Sequence, residues 1–577
     1  MRRLIWPRLA ALFTAIISLV EAAAEPGAAP GARPASPHFT RWHETAALHG
    51  VHEVFLVRDY TPDRPFDLEV QVTFTPSSGA ANAKTVEAFY DGGNVWRARV
   101  YVSETGRWTW SSRCAADAKL DGKQGTFEAV KTSLRGRLLP HPRNPSQWIT
   151  ENGKWFLNLN DTAYLLFLDR DGLGQEVSFA DFQHYVRDVS VMGLTSIRSM
   201  MACAYNSPQT VFFESNRVES LDLERFQRTD SRLQWMLDHY PDVYVQLIVL
   251  PLPQGWGKDD QGWHALPVEA RQRLLRHVVA RFAAFPQIFW LVTNDAHYGP
   301  EFPNNNAQAH EVGQFLLAHD PWNHPRSTGA HRGREFPFPE EPWATYLHLE
   351  RSYDLNADGL EPHRRWNKPV FNGEDRYESD HAESYDPFDM RYFQRRLFWS
   401  WLLAGGSANY GGRFCVVHPY SETGSRAAFF RYARVTHFRR LTGLDSAPFI
   451  RPFFESRGID LGDFTPDNAL VRDAGVSNTV AAPKLMPRGF DEFLVYHPNA
   501  AANGQAARAA PDRPARLTID LTQARGSFLA EWYRPHDGVV ATARKVRGGA
   551  VSAFTAPWPE GDVVLRLYRA GNTNAHP

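Results

Sequence analysis

Between residues 138 and 443 the chain alternates eight short apolar runs with amphipathic stretches, and this alternation narrows its folding options more than any other feature. Apolar runs of about four to eight residues suit strands covered on both faces, as in a parallel sheet with helices packed outside it. The runs fall at 155–160, 196–200, 243–250, 288–293, 326–330, 344–349, 370–372 and 408–410. Stretches 178–192, 230–239, 267–284 and 387–403 place apolar residues at helical spacing and are long enough to wrap a barrel. Eight such units predict an α/β fold, a (β/α)8 or TIM barrel. Runs five and six are the least regular, because Pro and Gly crowd them.

The flanks have a different period. Runs 51–57, 66–74, 85–90, 96–102 and 106–111 alternate apolar and polar residues between turn signals such as Tyr90-Asp91-Gly92-Gly93, which predicts a β-sandwich over 38–133. Beyond residue 448, runs 492–497, 515–521, 526–533, 550–554 and 562–568 predict a second one over 448–577. The catalytic barrel would then occupy 134–447. At the N-terminus, Arg2, Arg3 and Arg8 precede the apolar run 9–20 and then Ala22-Ala23-Ala24, the layout of a secretory signal spanning 1–24. Twelve apolar residues fall short of the roughly 18 that a membrane span needs. The expectation is a secreted or periplasmic protein without membrane contact after cleavage. Residues 25–37, rich in Pro, Ala and Gly, read as a flexible linker.

Composition excludes some functions. Lys and Arg total 63 against 64 Asp and Glu, so the chain lacks the basic excess with which proteins displace counterions from nucleic acid. Aromatic residues make up 13%, which suits stacking on sugar faces as well as core filling. The three cysteines show no metal spacing and the barrel holds no HxH or HExxH, so neither a catalytic metal nor another cofactor is expected.

Barrel enzymes place reactive groups at the C-terminal ends of strands. Run four ends in Thr293-Asn294-Asp295 and run seven in Asn372-Gly373-Glu374, which sets two carboxylates at the same barrel mouth. Such a pair is what glycosidic cleavage requires: one protonates the leaving oxygen and the other attacks or stabilises the anomeric centre. A separation of about 5 to 5.5 Å implies retention, and about 6.5 to 9.5 Å inversion. Each motif taken singly is also ordinary turn chemistry. Glu350 and Glu301 are rival carboxylates; Glu350 is expected to pair with Arg351 or another arginine.

Segments 153–164, 286–295, 368–377 and 399–411 resemble the barrel of the apiosidase-like glycoside hydrolases, within the wider clan of retaining (β/α)8 glycosidases. Residues 39–130 resemble the β-sandwich fused before such barrels, and 526–568 the small collagen-binding-type β-domain that follows them. The resemblance implies Asp295 as acid/base and Glu374 as nucleophile. Thr293-Asn294 departs from the Gly-Gly of this family and is closer to the Asn-carboxylate pair of the wider clan. The motif Asp161-Thr162-Ala163-Tyr164 matches the family after strand one and offers Asp161 to sugar hydroxyls, with an N-cap or Asx-turn as the alternative. Arg198 would bind a hydroxyl, bridge to Glu374 or close a salt bridge at the mouth. Asn294 would donate to the sugar 2-hydroxyl or form a turn amide. His331, Tyr353 and Tyr410, near the ends of strands five, six and eight, are as suited to packing as to substrate binding. The resulting expectation is a secreted retaining glycoside hydrolase with an oligo- or polysaccharide substrate from plants or bacteria. The alternative is a non-catalytic carbohydrate-binding or matrix-binding protein on a barrel scaffold.

Overall fold

Eight parallel strands form one sheet in a computed structural model of the chain: β1 (Leu159–Thr162), β2 (Ser196–Met200), β3 (Tyr244–Ile248), β4 (Ile288–Leu291), β5 (Arg326–Ser327), β6 (Leu347–Glu350), β7 (Val370–Glu374) and β8 (Ser407–Gly411). The structure describes residues 37–569 apart from 42–43, 171–175, 202–210, 215–216, 251–257, 260, 332–334, 352–353, 376, 379–389, 413–441, 477–480, 501–508 and 511–512. The sheet runs β5-β4-β3-β2-β1-β8-β7-β6. It closes between β5 and β6 through single bonds: Thr345 N–H donates to Arg326 O at 2.8 Å and His348 N–H to Ser327 Oγ at 3.1 Å. Every residue of these strands is buried, as in a parallel sheet covered on both faces.

Helices α1 (Phe179–Val191), α2 (Leu223–His239), α3 (Val268–Phe282), α4 (Pro303–His319) and α5 (Met390–Leu403) surround the barrel. Ser178 and Asp181 form a reciprocal capping box at the start of α1. Between β6 and β7 the crossover is only a 3-10 helix, Asp358–Trp366. A hairpin of Leu138–Pro140 and Trp148–Thr150 lies before β1. Its Leu138 and Trp148 join Phe156, Tyr244, Phe289, Tyr346 and Phe371 in one buried cluster. Tyr244 opens β3 and Tyr346 directly precedes β6, so the cluster floors the barrel at the N-terminal ends of the strands.

Residues 39–130 make two facing sheets of four and five strands, and 471–569 make sheets of five and three. Buried charges join the first of these to the barrel. Arg99 donates to Glu53 Oε2 at 2.7 Å within the sandwich and to Asp230 of α2 at 2.6 and 3.0 Å. Arg281 of α3 donates to the same Asp230 at 2.7 Å and to Asp91 of the sandwich. On the C-terminal side, Arg395 of α5 binds Asp562 at 2.5 and 2.9 Å. Trp399 of α5 packs among Phe453, Phe454, Tyr496 and Tyr533. No helix among the described residues is long and apolar enough to cross a membrane.

Candidate active site

β7 delivers Glu374 at its last residue, and the strand can do so because position 373 is glycine. A Cβ there would lie 1.9 Å from Cε1 of His348 on β6, so the two strands approach closely only without a side chain. Glu374 Oε2 accepts from Arg198 Nη2 and from the Tyr164 hydroxyl, each at 2.5 Å. Arg198 comes from the middle of β2 and is fully buried. Its guanidinium also donates to Asn294 Oδ1 at 2.7 Å, to the Tyr164 hydroxyl and to the Gly373 carbonyl, and lies 4.8 Å from the centre of the Tyr164 ring. Tyr164 in turn shares a hydrogen bond with Tyr377 at 2.8 Å. One guanidinium from the middle of β2 thus ties the segment after β4 and the end of β7 to the segment after β1.

Asp295 follows β4 in a left-handed backbone conformation, φ 55°. Asp is among the few residues that tolerate this region, at a cost on the order of 1 kcal/mol or more. The turn sets its carboxyl beside Glu374 and Glu350: one oxygen from each of the three lies within 4.8 Å of the others. Burial, then the charges of Glu374 and Glu350, hold the Asp295 carboxyl well above the ordinary carboxylate range, with Arg198 opposing them. His348 Nε2 is 3.4 Å from Glu350 Oε1. Burial, reinforced by the charge of Arg198, drives the His348 pKa well below its ordinary value, so the imidazole is neutral and the contact is no ion pair.

Arg351, the neighbour of Glu350 in sequence, takes another partner. Arg351 pairs instead with Asp354 at 3.5 Å, while Glu350 turns into the barrel and completes a trio of carboxylates. Arg198 and Asn294 both join this cluster; Glu301 is exposed in the loop before α4. Asp161 receives the Tyr185 hydroxyl from α1, whereas its strand neighbours Asn160 and Thr162 bond to Ser196 and Asn409 of the adjacent β2 and β8. The strand alternation therefore turns Asp161 toward the helix layer. Tyr410 donates to Glu378 at 2.7 Å. Glu378 also accepts from Thr442 N–H at 2.6 Å, and burial pushes its carboxyl up to about 7. His331 stacks on His297 with ring centres 4.0 Å apart, just beyond Asp295. Tyr353 lies outside the described residues. Trp290 points outward from β4, donating to Asp320 at 3.0 Å. Sequence reasoning missed Tyr164 and Tyr377 as partners of the Glu374 cluster; the only signal was the position of Tyr164 just past a strand end. The three carboxylates are also, among the described residues, the group close enough to share a cation. Calcium or magnesium would need further oxygens there to reach about six ligands.

Residues 144–423 match the apiosidase-like catalytic domain, and residues 47–115 match a domain of unknown function, DUF5060. No curated relative matches the sequence. Among solved structures, one from Bacteroides vulgatus, provisionally assigned as a glycoside hydrolase, superposes with a TM-score of 0.66 at 16% identity, covering 92% of this chain and all of that one. A glycoside hydrolase family 5 protein of Bacteroides vulgatus gives a TM-score of 0.59 at 14% identity over 77% of this chain and 95% of its own. A further structure described as a glycoside hydrolase gives 0.58 at 16% identity, over 77% and 98%. At such identities these likenesses concern the fold, a TIM barrel flanked by β-domains. Residues 144–423 are an apiosidase-like catalytic domain, and the protein that carries it is a glycoside hydrolase.

Proposed function

We propose that the protein is an exported, retaining glycoside hydrolase that cleaves a plant or bacterial oligo- or polysaccharide by double displacement, with Asp295 as acid/base and Glu374 as nucleophile. The observation that carries this reading is the approach of the two carboxyl groups to within 4.8 Å at their nearest, on the short side of the range at which a carboxylate attacks the anomeric carbon itself. Electrostatics favour the same division of roles. Arg198 and Tyr164 hold Oε2 of Glu374 and compensate its charge, whereas the environment of Asp295 keeps it protonated. In the first step Glu374 bonds to the anomeric carbon as the proton of Asp295 passes to the departing oxygen. In the second, Asp295 takes a proton from water, the water oxygen bonds to the same carbon, and Glu374 leaves. Export rests on the N-terminal sequence.

The test uses the 4-nitrophenyl glycoside that the wild-type protein hydrolyses from a panel of sugars, together with the methyl glycoside of that sugar. Asp295→Ala should impair the methyl glycoside far more than the nitrophenyl one, because an alkoxide cannot leave unprotonated. Azide should then restore turnover of the nitrophenyl glycoside, giving a glycosyl azide. Wild-type product of inverted configuration, or equal losses on both substrates without azide rescue, contradicts the assignment.

A further inference from the structure

We propose that Glu350 is a positioning residue for catalysis: it shares one proton with Asp295 and holds that proton on the acid until the leaving group takes it. This inference rests on the assignment of Asp295 as acid/base. Its basis is geometric. Glu350 is the last residue of β6, has no exposed surface, and lies within 4.8 Å of both other carboxylates. The space it fills is kept by Gly329, two residues past β5, where a Cβ would sit 2.6 Å from Glu350 Oε1. A side chain at position 329 would push the carboxylate aside.

Charge then decides where the proton sits. Among the described residues, the groups facing Glu350 include Asp295 beyond β4, Glu374 on β7, Arg198 on β2, the neutral His348 on its own strand and the Tyr298 hydroxyl. Three buried carboxylates among the described residues thus share the Arg198 guanidinium, which Glu374 and Asn294 engage. Two carboxylates this close in a buried site cannot both ionise without a large penalty, so a single proton between them is the stable state. Hydrogen bonding to Glu350 and its charge both raise the Asp295 carboxyl. Without a carboxylate at position 350, Asp295 would lose its proton at lower pH and protonated acid would become scarce at neutrality.

The experiment measures kcat/KM against pH for Glu350→Gln and Glu350→Asp on the methyl and 4-nitrophenyl glycosides described above, with circular dichroism to check folding. For the methyl glycoside, Glu350→Gln should move the alkaline limb down by about one pH unit or more, a loss of about tenfold at alkaline pH. At pH below the limb its activity should return toward that of the wild type. The nitrophenyl glycoside, which needs little acid assistance, should be much less affected. Glu350→Asp should shift the limb less and in the same direction, and decides the matter if the glutamine variant does not fold. An unmoved limb with a uniform loss at all pH values overturns the proposal and makes Glu350 structural. Azide rescue of Glu350→Gln, with Asp295→Ala indifferent to the leaving group, instead transfers the acid/base role to Glu350 and defeats the Asp295 assignment itself.

Discussion

Asp295 has a cost for the fold that follows from its chemistry. Its carboxyl is held protonated by burial and by neighbouring negative charge, whereas in the unfolded chain it titrates near the ordinary value of about 3.9. Below that pH both states carry the proton and nothing is lost. As pH rises above it, the unfolded chain ionises first and the folded chain is penalised, the penalty levelling off once Asp295 ionises in the folded protein too. Asp295→Asn should therefore raise the neutral-pH Tm by a few degrees while abolishing most activity on unactivated glycosides, and the Tm gain should vanish in acid. Glu374→Gln should lower turnover by several orders of magnitude with circular dichroism unchanged, because glutamine keeps the shape and cannot act as a nucleophile. Gly373→Ala offers a third check: a methyl group 1.9 Å from the His348 ring forces β7 away from β6. It should lower activity strongly through misplacement of Glu374 and lower the Tm as well, as overpacking of about 1–3 kcal/mol predicts.

The elements around the site differ in how far the sequence announces them. β2 is read at its observed bounds, Ser196–Met200, because five residues there are uninterrupted by turn chemistry. β1 begins later than its apolar run, at Leu159, since Phe156 is spent on the barrel floor and Trp155 pairs with Ile149. α4 goes unannounced because it opens with Pro303 and three asparagines, which read as loop. Glu350 shows why part of the site is not legible. Consecutive residues of a strand point to opposite faces, so the arginine next in sequence is on the wrong side to pair with it. A bridge from Arg198 to Glu374 is among the expectations from sequence, whereas Tyr164, present there only in the motif after strand one, reaches Glu374 across 210 positions through barrel closure. The capping box of α1 gives an element-scale prediction. Ser178→Ala removes the bond from Asp181 N–H at 3.1 Å and should cost about 1 kcal/mol, seen as a lower denaturation midpoint with kcat retained.

Across the molecule, the three lobes are joined by charges withdrawn from water. Breaking such a network from one side strands the remaining charges, at about 3–5 kcal/mol. Arg99→Met leaves Glu53 and Asp230 short of a partner, so limited proteolysis should then release the N-terminal sandwich, near residue 133, faster than from the wild type. Equal resistance of the two proteins would mean that apolar packing such as Phe39 on Phe285 suffices to hold the lobes together. The aromatic floor beneath β3 and β6 bears on traffic through the enzyme. Trp148, Phe156, Tyr244, Phe289, Tyr346 and Phe371 make the barrel a cul-de-sac, so a sugar held at the carboxylates leaves by the opening through which it came. Arrival and departure share one doorway: released sugar should act as a competitive inhibitor, and each turnover must wait for the previous occupant to back out.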